Sequence, residues 1–180
     1  MIPPPSLYAE CRPTLRLEAT VGTPIVAPGD PLEVTVTLRN PADRGPHPSM
    51  CAMVQAFLAE REPNTEGYLV VQFEIVGPDG VLLKRTKPTF AIPVRPSLEE
   101  FSYLPPGGFF GRTFSLRDAP LGYETPSAGT YKITATLTTA GRDYFEAQRK
   151  RLKGKQWLSV DPKDVLQGEL RSGTVEVQVK

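Results

Sequence analysis

The chain predicts an all-β fold, an antiparallel two-sheet sandwich of roughly eight or nine strands. Three observations predict it. Several segments alternate apolar and polar residues with a period of two, which buries one face of a strand and leaves the other wet. Twenty prolines and fifteen glycines are scattered without a repeat, a density that suits short strands joined by turns rather than a helical bundle. The connections are short and the hydrophobicity one-sided, which favours antiparallel pairing, since consecutive parallel strands need long crossovers. At 180 residues one domain can bury roughly 70% of its unfolded surface without a metal or disulfide. Residues 1–13 read as an extended proline-rich arm and residues 14–180 as the domain, with an insertion over about 141–168 before the last strand.

Taken in order, Thr14–Thr20 places Leu15, Leu17 and Ala19 on one face, and Pro28-Gly29-Asp30 then turns the chain. Leu32–Arg39 is the cleanest amphipathic strand, with Leu32, Val34, Val36 and Leu38 inward and Glu33, Thr35, Thr37 and Arg39 outward; Asn40-Pro41 ends it. Across Met50–Glu62, Met50, Met53, Val54, Phe57 and Leu58 follow helical spacing between a capping Ser49 and a stopping Pro63, so a short helix is expected. The same residues also alternate tolerably as a strand. Tyr68–Val76 and Val81–Arg85 flank Gly77-Pro78-Asp79-Gly80 as a hairpin. Thr89–Val94 contains Pro93 and reads as an edge strand. After Pro105-Pro106-Gly107-Gly108 comes a strand over Phe109–Leu116. Gly129–Leu137 is the strongest late strand, with Tyr131, Ile133, Ala135 and Leu137 on one face, and Gly173–Lys180 closes the chain beside it.

The order of LEVTVTLRNP, FEIVGPDG, YLPPGGFFGRTFSL, SAGTYKITATL and LRSGTVEVQV resembles bacterial immunoglobulin-like sandwich domains over roughly residues 14–140 and 168–180. That resemblance implies architecture more than activity. It departs from antibody-type domains, because Ile133 stands where a second core cysteine would be and the lone Trp157 lies in the late insertion. Under it, Tyr131 is a corner residue that buries its ring and bonds nearby backbone with its hydroxyl, a structural role rather than a binding one.

Charge and chemistry exclude more than they assign. Twenty-one basic against twenty acidic side chains give no global attraction to nucleic acid or acidic lipid. No apolar run reaches the roughly 20 residues of a membrane-spanning helix, and MIPPPSLYAEC has neither the basic nor the apolar region of a signal peptide. Cys11 and Cys51 either form a disulfide closing a loop of about 40 residues or are two free thiols. The compartment follows that choice: secreted, periplasmic or surface if they pair, cytoplasmic otherwise. His47, the single histidine, lies in a proline-rich loop without the cysteines or carboxylates of a zinc site, and no G-x-S-x-G, Walker-type or dinucleotide glycine loop occurs. No catalytic, metal or cofactor site is expected.

Two surfaces are left. In the insertion, Arg149, Lys150, Arg151, Lys153 and Lys155 sit beside Tyr144, Phe145 and Trp157. Interleaved cations and aromatics can bind a protein or stack nucleotides, although the plain reading is a solvated loop whose rings pack on the sandwich. Over Leu98–Phe110, Phe101, Tyr103, Phe109 and Phe110 surround the Pro-Gly turn; about half belong to a sandwich core, and an exposed remainder marks an interface. The expected function is therefore a non-catalytic protein-interaction or structural sandwich, a component of a larger assembly or of the cell envelope. A carbohydrate-binding or enzyme-accessory module and a protease-inhibitor-like sandwich are the alternatives, and nucleic-acid contact is the least favoured.

Overall fold

The computed structural model describes residues 15–41, 53–55, 57–59, 69–84, 101–104, 107–118, 121–125, 127–139 and 169–180. Among them are eleven strands and no helix: β1 (Arg16–Val21), β2 (Ile25–Val26), β3 (Glu33–Arg39), β4 (Met53–Gln55), β5 (Phe57–Ala59), β6 (Leu69–Val76), β7 (Phe101–Tyr103), β8 (Phe109–Ser115), β9 (Gly129–Thr139), β10 (Glu169–Arg171) and β11 (Val175–Val179). One sheet has the order β1-β3-β8; the other runs β2-β11-β9-β6-β5, with β10 also on β9; β4 and β7 form a separate two-stranded ribbon.

Alternation accounts for the core. On β3, Val34, Val36 and Leu38 are fully buried, and on β9 so are Tyr131, Ile133 and Ala135. These residues join Leu17, Phe73, Ile75, Phe114, Val177 and Val179 in one hydrophobic cluster, so both sheets contribute to a single core. Phe73 of one sheet meets Phe114 of the other edge to face, with ring centroids 5.4 Å apart, a geometry that aromatic pairs favour. Burying a side chain such as Ile133 or Leu38 contributes about 1.5–3 kcal/mol each.

The long central strand β9 is held on one side by β6, in the register Phe73↔Ala135 and Ile75↔Ile133. On its other side β10 and β11 act as one strand broken by a bulge. Arg171 faces Thr136 and Val175 faces Ile133, so three residues (Ser172, Gly173, Thr174) oppose two (Thr134, Ala135). The extra residue would leave the Ala135 N–H without a ladder partner. Ser172 supplies one: its buried hydroxyl accepts from Ala135 N at 3.0 Å and donates to Gly173 O at 2.7 Å.

The short helix expected over Met50–Glu62 is not what forms: Met53–Gln55 and Phe57–Ala59 are strands. Each lies along a waiting edge, β4 on β7 and β5 on β6. Helical spacing and strand alternation compete for the same apolar residues here, and ladder bonds to an existing strand outweigh a short helix that must satisfy its own ends. Uniform antiparallel pairing is also corrected. β5 runs parallel to β6, and β2 parallel to β11. The rule against short parallel connections applies to strands adjacent in sequence, and β2 and β11 come from opposite ends of the domain; β5 and β6 are consecutive, with nine residues between Ala59 and Leu69, and depart from it. The hairpin after β6 does form, with Gly77 N donating to Val81 O at 2.8 Å and Leu83 N to Ile75 O at 2.8 Å. Its second arm is only a bridge at Leu82. The expected strand over Thr89–Val94 and the 1–13 arm lie outside the described residues.

Candidate interaction surface

The side chains with the most chemistry in the described residues are engaged in holding the fold. Tyr131 is fully buried, and its hydroxyl donates to Ser127 O at 2.7 Å while accepting from Ser127 N at 3.3 Å. It pins the turn that feeds β9, as the expected corner residue should. Asn40, buried at the end of β3, donates from its carboxamide to Leu104 O at 3.0 Å, and its backbone exchanges bonds with Gly108 O and Gly107 N. Asn40 thereby ties β3 to the turn that opens β8. Arg117 spans two loops. Its Nε and one terminal nitrogen donate to Thr125 Oγ1 at 3.0 and 2.6 Å, and the other reaches the carbonyls of Ala27 and Asp30. Tyr123 donates to Phe73 O at 2.9 Å, occupying a carbonyl of β6 beyond the reach of β5.

The large hydrophobic side chains left exposed among the described residues are Ile25 on β2, Val81 and Leu82 in the hairpin after β6, and Phe109 at the start of β8. Phe109 and Phe110 are adjacent on a strand, so period two sends one to each face. Phe110 packs against the core, while Phe109 stands 67% exposed on the outer face. It is the exposed ring among the aromatic side chains described. The Arg39 guanidinium lies over it, 5.5 Å from the ring centroid, and is itself paired with Glu18 at 2.6 Å. β1, β3 and β8 thus place Arg16, Arg39 and Phe109 in one row across the sheet, and Arg39 reaches diagonally to Glu18, which stands opposite Thr37 in the next row of that face. The rest of the face is small and polar: Thr37 opposite Gly111, and Thr35 hydroxyl-bonded to Thr113 at 2.8 Å. Arg and aromatic side chains are both enriched in protein interfaces relative to the rest of a protein's surface. The outer face of the other sheet differs: Arg171–Glu74 at 3.0 Å and Lys132–Glu176 at 3.9 Å are exposed pairs of the kind that contributes about 0–1 kcal/mol.

Of the aromatic side chains in the second surface expected from sequence, Phe109 is exposed and Phe110 packs on the core; the side chains of Phe101 and Tyr103 lie outside the described residues. So do Tyr144, Phe145, Arg149, Lys150, Arg151, Lys153, Lys155 and Trp157, together with Cys11, Cys51 and His47. Sequence reading passed over Arg39 as one more outward residue; the adjacent pair of phenylalanines was the available signal that one ring must face out. Among the described residues no group of three or more metal-ligating side chains stands together, and no helix is long and apolar enough to cross a membrane. Comparison of the chain with protein-family models and with curated proteins returns no match.

Proposed function

We propose that this chain is an immunoglobulin-like β-sandwich that works by protein contact, as a component of an assembly, and that it carries out no catalysis. The architecture supports the first part. The order β1-β3-β8 against β11-β9-β6 is what the A-B-E and G-F-C strands of such a sandwich would give, and Tyr131 on β9 stands where the corner tyrosine of the F strand belongs. The parallel β5–β6 pair departs from that pattern.

The observation that carries protein contact is the exposed Phe109 beneath Arg39. A solvated ring of that size has no role in the core, and Arg and aromatic residues dominate the energetics of protein interfaces. Phe109→Ser should leave the thermal midpoint within about 2 °C, since surface changes away from the core usually fall within ±0.5 kcal/mol. Used as bait against extract of its own source, the parent chain should retain a protein that the Phe109→Ser chain does not. Retention of polysaccharide alone, or of the same proteins by both chains, would end this reading.

A further inference from the structure

The row that carries the exposed ring is out of charge balance. Arg16 and Arg39 stand directly opposite each other on β1 and β3, and like charges in that position are destabilising. Glu18 neutralises one of them, bonded to Arg39 at 2.6 Å. Arg16 is exposed, and no described side chain forms an ion pair or hydrogen bond with its guanidinium. The outer face of the other sheet is arranged otherwise, because Arg171 and Lys132 each have a carboxylate of their own, Glu74 and Glu176. One positive charge is therefore left over in the row of Phe109. The rows beside it hold Glu18, Thr37 and Gly111, then Thr20, Thr35 and Thr113, with no bulky side chain to keep a partner away.

Resting on the protein-contact reading, we infer that this row receives an acidic segment of a partner protein: an Asp or Glu carboxylate meets Arg16 while a nearby apolar side chain covers Phe109. Arg16 and Phe109 lie on the two strands that flank β3, about 10 Å apart at two strand spacings, a distance that a short peptide segment spans. A planar guanidinium takes a carboxylate through two parallel N–H···O bonds. Bound there, the carboxylate also relieves the repulsion between Arg16 and Arg39. The surplus is a single charge with Glu18 close by, so a phosphate backbone with its dense row of anions is a poor complement, whereas one acidic side chain matches it. The apolar neighbour follows from Phe109, whose exposed ring gains from being covered.

Random peptides displayed on phage and selected on the full chain test this. The enriched sequences should hold Asp or Glu close to an aromatic residue, Leu or Met. A selected peptide should bind the parent about fivefold or more tighter than the same peptide with its carboxylate changed to the amide. The Arg16→Gln chain should bind the acidic peptide weaker by a similar factor and should not distinguish acid from amide, because the two losses are one interaction. Its urea midpoint should not fall, since one of two facing like charges is gone, so the lost binding belongs to the contact and not to the fold. A selection that enriches nothing, enriched peptides without a carboxylate, or acidic peptides whose binding ignores Arg16→Gln overturn the acidic partner. So does Arg16-dependent binding to phosphatidylserine vesicles or single-stranded DNA but to no peptide. Peptides that need Phe109 and ignore Arg16 leave protein contact standing, whereas peptides that ignore Phe109→Ser end that reading, so the two fail separately.

Discussion

Tyr131 and Asn40 do by side chain what the strand ladders do by backbone. The Tyr131 hydroxyl closes a loop of four residues onto Ser127 O, and Asn40 reaches Leu104 O from a fully buried position. Removing a donor while its acceptor stays in place costs about 1–3 kcal/mol. Tyr131→Phe keeps the ring in the core and should therefore lower stability by about 1–1.5 kcal/mol, seen as a lower urea midpoint at unchanged slope. A midpoint equal to the parent's would mean that the bond to Ser127 contributes nothing net. The ring's burial was legible in the sequence, from the position of Tyr131 on the apolar face of its strand. The role of Asn40 was not, since Asn before Pro reads only as a strand end, and its partners arrive from residues 104–108, far along the chain.

Gly129 shows how an element's start is set by a contact between two elements. Its φ is +141, a conformation that side-chain-bearing residues rarely adopt, and a Cβ there would lie 2.5 Å from Pro78 Cγ. The tip of the β6 hairpin and the first residue of β9 thus occupy nearly the same space. Gly129→Ala should cost about 2 kcal/mol or more from strain and overlap together. Adding Pro78→Gly, which removes both Cγ and the Cβ at 2.6 Å, should return part of that loss but not all, because the backbone strain is left. Full additivity in this double-mutant cycle would rule out the contact as a cause. The bulge at Ser172 offers a second test at this scale. Ser172→Ala leaves the Ala135 N–H with no acceptor, so that amide should exchange faster while its neighbours on the β6 side of β9 keep their protection. The strand pair itself was readable from Gly129–Leu137 and Gly173–Lys180; the bulge was not, because one extra residue leaves the alternation on either side intact.

Across the whole molecule, the two sheets share one cluster in which Leu38, Val34 and Phe114 face Ile133, Phe73 and Ile75. Neither sheet can expose its inner face without exposing the other's, so the domain should unfold in one cooperative step. Leu38→Ala and Ile133→Ala, one from each sheet, should each cost about 2–5 kcal/mol and shift the same transition by circular dichroism and by fluorescence. Two separable transitions would show that the sheets are independent. Period-two alternation was enough to place β1, β3, β6, β8, β9 and β11 and to name the apolar faces of β1, β3, β9 and β11, because burial on one side of a pleated strand is a local property of the chain. Which strand lies beside which is not local. The parallel pairs β2–β11 and β5–β6 and the extended backbone of residues 53–55 and 57–59 depend on which strand edges remain unsatisfied once the core has closed. Backbone N–H and C=O groups take partners by proximity in the folded chain, and side-chain pattern carries no record of that choice.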